Sequence, residues 1–172
     1  MTKSQRLAVA SYVIAAVIIV ADQLTKAWML YGLHLREVGR VEVLPPIFNL
    51  SYVLNTGVSF GLLGGGWARW LLTIFSIGVS IFLARWALKA ERRLLAASIG
   101  LIIGGAIGNV IDRIRFGGVV DFLDFSGLMF PWIFNIADSA ISIGVVLLIL
   151  DSILVERRAK AASAVGAAPE KS

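Results

Sequence analysis

The chain has 172 residues, of which 58% are hydrophobic and 16% charged, with a net charge of +5 and no cysteine. A soluble domain is about 45–50% apolar and about 25% charged, so this composition excludes an ordinary soluble globule and a disordered chain. The lack of cysteine excludes disulfides, thiolate metal sites and a cysteine nucleophile. The single histidine, His34, excludes a metal centre with several histidines.

The hydrophobic residues are gathered in four long blocks. They cover residues 7–29, 67–88, 94–113 and 132–155, and each is close to the ~20 residues that cross a bilayer. A single segment satisfies its own backbone polar groups in lipid only as a helix. The sequence therefore predicts an all-α membrane protein with four transmembrane helices.

The two ends of the chain are assigned as follows. Lys3 and Arg6 before the first block are also compatible with a cleaved secretory signal peptide. No small-residue cleavage site follows, so we predict that this helix is retained. The domain then covers residues 1–158, and the alanine-rich residues 159–172 are predicted to form a disordered tail.

Basic residues set the predicted orientation. Four spans place both termini on one side, and that side carries ten of the 16 Lys and Arg residues. This bias predicts cytoplasmic termini, and it fits membrane topology better than binding to nucleic acid. The loops 30–66 and 114–131 then lie outside, and the first is expected to hold two short strands, 41–44 and 47–54.

Glycines recur every four residues in the third block, at Gly100, Gly104 and Gly108. Such a stripe of small residues allows two helices to approach closely. We therefore predict that this helix packs tightly against a neighbour.

Four acidic residues meet at the outer end of the predicted bundle. Asp22 lies near the outer end of the first helix, and Asp112 ends the third. Asp121 follows in the second outer loop, and Asp138 lies in the first turns of the fourth helix. A charge at mid-bilayer costs roughly 2.5–3.5 kcal/mol, so acids gathered in one leaflet indicate a function.

A purely structural alternative is an ion-pair network at the interface. In it, Asp22 pairs with Lys26, four residues on, and Asp112 pairs with Arg113 or Arg115. That network does not include Asp121 and Asp138, which have no neighbouring cation in the sequence.

Paired carboxylates can hydrolyse an amide, because one draws a proton from water while the other, protonated, polarises the carbonyl oxygen. A Ser59–Lys26 dyad is a rival, although Asp22 beside Lys26 would keep that lysine charged. A second rival is a small transporter or lipid-binding protein that uses the same acids.

Five short motifs together resemble those of bacterial lipoprotein signal peptidases (signal peptidase II). Each is weak alone, but the ordered set on a chain with four spans is specific, and it covers all but the two tails. The motifs are Asp22-Gln23-Leu24-Thr25-Lys26, Asn55-Thr56-Gly57-Val58-Ser59-Phe60, the stretch from Gly104 to Arg113, Val119-Val120-Asp121-Phe122 and Phe134-Asn135-Ile136-Ala137-Asp138-Ser139.

The resemblance implies an aspartic endopeptidase of the inner membrane. Its substrates would be prolipoproteins cut just before a diacylglyceryl-modified cysteine, at the periplasmic face. It implies four transmembrane helices, a small periplasmic β-cradle and a short interfacial helix. It also implies a monomer in contact with membrane lipid, inhibited by globomycin-type compounds, with no metal, organic cofactor or nucleic acid.

The same resemblance assigns site residues. Asp121 and Asp138 match the catalytic pair, and which is acid or base stays open. Asp124 lies outside the matched motifs and is interpreted as a bystander. The apolar residues around Gly57, Phe60, Phe122 and Phe125 are predicted to shape a lipid pocket, although Phe125 is equally compatible with an aromatic anchor at the interface. The residues that bind substrate or support the site are Asp22, Lys26, Asn55, Gly57, Gly108, Asn109, Asp112, Arg113 and Asn135.

Overall fold

The computed structural model describes residues 1–57, 66–128 and 132–166. In these residues, four helices are long and apolar enough to cross a membrane, which confirms the four predicted spans. They are α1 (Lys3–Ala27), α3 (Trp67–Ala87), α4 (Arg93–Phe116) and α5 (Ile136–Gly166). A one-turn helix, α2 (Leu35–Val38), follows α1.

The α4 helix lies at the centre of the bundle. In its most apolar window 72% of the residues are buried, against 17–22% in the other three helices. A Cβ atom on Gly100 would lie 2.5 Å from the Ser11 carbonyl oxygen of α1, so the predicted glycine stripe is where α1 packs. Gly105, outside that stripe, lies against the Ala137 carbonyl of α5. Glycines on two sides of α4 thus allow α1 and α5 to pack closely against it.

Both ends of α5 differ from the prediction. Helix α5 begins at Ile136 instead of residue 132, because residues 133–134 belong to a strand. It also continues to Gly166, so residues 159–166 are helical where we predicted a disordered tail. Alanine is the best helix former, and the Glu156–Lys160 ion pair (2.6 Å) adds support at i, i+4.

A four-stranded antiparallel sheet joins the two loops at one end of the bundle. Strands β1 (Arg40–Leu44) and β2 (Phe48–Asn55) confirm the predicted pair. Strands β3 (Val119–Asp124) and β4 (Ile133–Phe134) were not predicted, and the order is β1-β2-β3-β4. β3 is buried along almost its whole length, so it lacks the polar–apolar alternation that reveals a half-exposed strand.

A small apolar core fixes this sheet to the bundle. It contains Met29 from the end of the first span, Leu35 from α2 and Phe122 from β3. Phe122 is 2% exposed and therefore belongs to the core, which corrects its assignment to a lipid pocket. Phe125 instead stacks on Phe134, with ring centroids 5.7 Å apart. The core places β3, and with it Asp121, directly over the ends of the helices.

Candidate active site

A buried ion-pair triad lies where the C-terminal ends of α1 and α4 meet. Lys26 Nζ is 2.8 Å from Asp22 Oδ2 and 2.8 Å from Asp112 Oδ2. The Asp22–Lys26 pair is confirmed, whereas the pairing of Asp112 with Arg113 or Arg115 is wrong. Arg113 is next in sequence to Asp112 and does not share its helix face. Arg115, three residues on, donates to Gln23 Oε1 (3.3 Å) instead, while the close approach of α1 brings Lys26 to Asp112.

The two carboxylates of the triad also hold backbone groups of the neighbouring elements. Asp22 Oδ1 accepts a hydrogen bond from Ala137 N (3.0 Å), and Asp112 Oδ2 accepts one from Val120 N (3.0 Å). These two donors immediately precede Asp138 and Asp121 in the chain. The triad therefore anchors α5 and β3 at the positions that carry the two predicted catalytic aspartates.

Gln23 belongs to this polar cluster, although the sequence analysis did not select it as a site residue. Its Nε2 atom donates to Asp112 Oδ1 (3.0 Å), Asp22 Oδ2 (3.2 Å) and the Gly108 carbonyl oxygen (3.3 Å). It lies inside the first motif, but its spacing from Asp22 gave no reason to place it on the same face. Its amide links the two acids of the triad: it shares Asp22 Oδ2 with Lys26, and it binds the Asp112 oxygen that Lys26 does not.

Asp138 is held in the first turn of α5. The Asn135 side chain caps this helix, since its Oδ1 accepts a hydrogen bond from Asp138 N (2.9 Å). Asn109 Nδ2 donates to Asp138 Oδ1 (2.7 Å), while Asn109 Oδ1 accepts from Lys26 Nζ (3.3 Å). The lysine therefore orients the Asn109 amide so that its donor side faces Asp138.

Asp121 is buried on β3 and is bound by two amides. Asn135 Nδ2 donates to its Oδ1 (2.6 Å), and Asn55 Nδ2 donates to its Oδ2 (3.1 Å). The register pairs Asn55 with Val119, so Asn55 and Asp121 are diagonal neighbours on one face of the sheet. Asn135 thus contacts both the Asp121 carboxylate and the Asp138 backbone, and it couples the positions of the two acids.

The electrostatic environment of Asp121 favours its protonated form. Burial, and next the nearby Asp138 carboxylate, raise the pKa of Asp121 to about 6. The two amide donors and the Lys26 charge oppose this shift only in part. Arg113 lies within charge–charge range of both acids. Two carboxylates in such a site can hold one proton between them.

Two glycines are required by the geometry of the site. A Cβ atom on Gly108 would lie 2.8 Å from Asp22 Oδ2, so only glycine leaves that carboxylate in place. Gly57 has a φ of 75°, which disfavours other residues, and its N–H donates to Asn55 Oδ1 (3.0 Å). Gly57 therefore helps to hold the amide that binds Asp121.

Asp124 has partners of its own. Its carboxylate accepts hydrogen bonds from Ser51 Oγ (2.6 Å) and Ser126 N (2.9 Å). Although burial opposes its ionisation, these bonds and the Arg40 charge hold the pKa of Asp124 below its usual value. Asp124 stabilises the sheet and the turn after it, and its hydrogen bonds reach neither Asp121 nor Asp138.

An open groove of about 370 Å³ reaches Asp138 along the outer face of α5. Its lining is mostly apolar, with Trp132 and Phe134 at one end and Ile143 at the other. Ser139 and Ser142 add hydroxyl groups. The groove gives an apolar molecule access to the half-buried carboxylate.

The Ser59–Lys26 dyad and metal binding are the two other chemistries to compare with the structure. Ser59, the nucleophile of the alternative dyad, and Phe60 of the predicted lipid pocket lie outside the described residues. Lys26 is buried and bound by two carboxylates. In residues 1–57, 66–128 and 132–166, no group of three or more histidines and carboxylates is arranged to hold a metal ion.

The fold and the site together define a multi-pass membrane protein with the paired aspartates of an aspartic peptidase. A sequence model of the family described as "Signal peptidase (SPase) II" matches residues 14–154. The chain belongs to the signal peptidase II family.

Relatives and solved structures agree with this family. The chain is 60% identical over 149 residues to a protein named "Lipoprotein signal peptidase" from Caulobacter vibrioides, covering 85% of this chain and 88% of the relative. It is 46% identical over 153 residues to one of the same name from Shewanella loihica, covering 86% and 88%. A solved structure described as a bacterial membrane enzyme at 2.3 Å resolution matches the chain with a TM-score of 0.71 and 32% sequence identity. The match covers 94% of this chain and 93% of the chain in that structure.

Proposed function

We propose that the chain is an aspartic endopeptidase that removes signal peptides from diacylglyceryl-modified prolipoproteins, cutting just before the lipidated cysteine. Membership of the signal peptidase II family supports the reaction class. The observation that carries the proposal is the pair Asp121 and Asp138, joined through the Asn135 side chain at the end of a four-helix membrane bundle.

In the proposed reaction, the two aspartates share one proton. The ionised carboxylate takes a proton from water, and the oxygen of that water attacks the scissile carbonyl carbon. The protonated carboxyl donates its proton to the carbonyl oxygen, which gives a tetrahedral intermediate with two hydroxyl groups. The other aspartate then passes the proton that it took from water to the cysteine nitrogen as the C–N bond breaks. One hydroxyl of the intermediate returns a proton to the first aspartate, which restores the pair and releases the cysteine amine and a carboxylic acid. We assign the shared proton to Asp121, whose pKa is raised to about 6, and the base to Asp138, at the helix N-terminus that favours negative charge.

The surrounding polar residues support this chemistry. Asn109 and Asn135 hold the acids through their amides, and Arg113 supplies a positive charge beside them. We propose that Asn55 and Gly57 contact the substrate near the scissile bond. Asn55 is exposed and bound to Asp121, so the end of β2 and the residues after it border the reacting atoms.

The groove beside Asp138 suits an apolar substrate. Each buried CH₂ of an acyl chain contributes about 0.8 kcal/mol, so a diacylglyceryl group would keep the cleavage site at the membrane. We propose that the groove lined by Trp132, Phe134 and Ile143 takes up an apolar part of the substrate. Globomycin-type inhibitors would compete for this region.

We also propose an inner-membrane location with cytoplasmic termini, the site at the periplasmic face and a monomeric chain. The bias of ten of the 16 Lys and Arg residues toward one side supports the orientation. The glycine stripe supports a monomer, because the helix that it packs against is α1 of the same chain.

A gel-shift cleavage assay in detergent tests the proposal. It uses the purified protein with a diacylated prolipoprotein, and the unlipidated precursor as a control. We expect a mass shift for the wild type with lipidated substrate only, and none for Asp121→Asn or Asp138→Asn. Asp124→Asn is the matched control, since this buried acid lies apart from the pair, and it should still cleave.

The same assay separates the peptidase from the alternative. A wild-type protein that is well folded but leaves the lipidated substrate intact would reject the peptidase. Ion flux across vesicles without any change in substrate mass would then favour a transporter that uses the same acids. Normal cleavage by Asp121→Asn would reject the assignment of the pair.

A further inference from the structure

We propose that the end of the bundle opposite the candidate active site binds the headgroup phosphate of an anionic phospholipid, in a cavity between α1, α4 and α5. The cavity has a volume of about 440 Å³. It lies at the start of α1 and α4 and in the second half of α5, whereas Asp138 lies in the first turn of α5 and Asp121 on β3, at the opposite end of the bundle.

Four cations line the cavity, and three of them, one from each helix, are separate from the Arg92–Asp151 pair. These three are Lys3 of α1, Arg93 of α4 and Arg158 of α5. In the part of the chain that the structure describes, no salt bridge reaches any of the three. Their charges are therefore available to an anion that enters between the helices.

The acidic residues of the cavity do not cancel this charge. Asp151 is buried and paired with Arg92 through hydrogen bonds of 2.7–3.0 Å, so these two charges offset each other. Glu91 is the one remaining carboxylate among the lining residues, and it is exposed. Three available cations against one exposed carboxylate leave a local excess of positive charge.

The start of α4 adds to this excess. No side chain caps this end of the helix, and its first turn contains no acidic residue. Its first N–H groups and the positive end of the helix dipole therefore lie beside Arg93, where they favour a phosphate.

The apolar part of the lining favours a lipid over a free anion. Leu94, Leu154 and Val155 border the same cavity as the cations. Leu154 and Val155 are more than a third exposed, on the outside of a helix that is apolar enough to span the membrane. Such a surface can contact acyl chains while the cations hold the phosphate, as basic pockets between transmembrane helices do.

Native mass spectrometry tests this site. The protein is reconstituted in nanodiscs of phosphatidylcholine with a minor fraction of phosphatidylglycerol, transferred to mild detergent, and weighed with its retained lipids. We expect the wild type to retain phosphatidylglycerol in preference to phosphatidylcholine. Arg93→Gln/Arg158→Gln should reduce that preference about fivefold for each cation removed. Arg157→Gln, which removes a neighbouring cation outside the lining, should leave it unchanged.

Three outcomes would overturn the proposal. One is equal retention of phosphatidylglycerol by the wild type and the double variant, with folding of both verified by circular dichroism. Another is wild-type retention of both lipids in proportion to their supply. The third is that millimolar inorganic phosphate raises the melting temperature of lipid-free protein as much as the lipid does, which would indicate a free anion site. If the double variant misfolds, Arg158→Gln alone, at an exposed position of α5, replaces it.

Discussion

Asp22 Oδ1 accepts a hydrogen bond from the backbone N–H of Ala137 at 3.0 Å, and Ala137 is the residue before Asp138. An acid of the first span thereby holds the first turn of the last one. Asp112 holds Val120, the residue before Asp121, in the same way (3.0 Å). Both acids form an ion pair with Lys26, so one triad determines where the two catalytic candidates lie.

Gly108→Ala tests whether the close packing of α4 against Asp22 and α5 is needed for activity. The new Cβ atom would lie 2.8 Å from Asp22 Oδ2 and 3.4 Å from Ala137 Cβ, so Asp22 must move or α5 must shift. We expect at least about a tenfold loss of cleavage, since displacements of 1 Å can cost about 10²-fold. The measurement is kcat/KM with a diacylated prolipoprotein. Gly78→Ala on α3 is the control, because nothing lies within 4 Å of its Cβ position. Equal activity of both variants would contradict a tight fit at Gly108.

Lys26→Met tests the triad itself. The substitution keeps the length of the side chain but leaves Asp22 and Asp112 buried without their shared cation. Removing one partner of a buried ion pair costs about 3–5 kcal/mol, so we expect a marked fall in stability. The measurement is unfolding in detergent, followed by tryptophan fluorescence. Lys160→Met is the control, since it removes only an exposed pair with Glu156 and should change stability by less than about 1 kcal/mol. Similar losses in both variants would show that Lys26 is not structurally special.

The four spans could be predicted because hydrophobic length alone decides which segments cross a membrane. The convergence of the acids followed from the alternating direction of the helices. The partner of Asp112 could not be predicted, because it depends on how closely α1 approaches α4. β3 was missed because burial on both faces removes alternation, and its pairing with β2 lies 64 residues away in sequence between Asn55 and Val119. The extension of α5 to Gly166 was missed because an alanine-rich segment resembles a tail in composition, although alanine favours a helix.

The raised pKa of Asp121 predicts a pH-dependent difference in stability between the wild type and Asp121→Asn. Below pH 3.8 this carboxyl is protonated in both the folded and the unfolded protein, so it has no effect on stability through ionisation. Above about pH 6 it is ionised in both, and its burial destabilises the folded state. The wild type should therefore lose stability relative to Asp121→Asn as the pH rises between these values.

The measurement is the melting temperature of both proteins in one detergent across this pH range. Hydrogen bonds lost in the variant shift its curve by a constant amount, so the change of the difference with pH is the informative quantity. Asp124→Asn is the control. The pKa of Asp124 is lowered from 3.8, so the contribution of its ionised form to stability changes only below that pH, and the difference between the wild type and Asp124→Asn should stay nearly constant across this range. A difference between the wild type and Asp121→Asn that stays constant with pH would contradict the raised pKa.

Asp151→Ala should destabilise the opposite end of the bundle without changing the chemistry. Asp151 is 4% exposed, and Arg92 binds it through two nitrogen atoms, so the substitution removes charged hydrogen bonds between the start of α4 and α5. Arg92 is 41% exposed and can turn to water, so we expect a loss of about 1–3 kcal/mol instead of the full cost of a buried charge. Glu156→Ala, on the same helix but in an exposed pair, should lose less than about 0.5 kcal/mol. Unfolding in detergent measures both, and kcat/KM at a temperature where both are folded should equal that of the wild type. Loss of cleavage in folded Asp151→Ala would instead show that this end of the bundle is coupled to the aspartate pair.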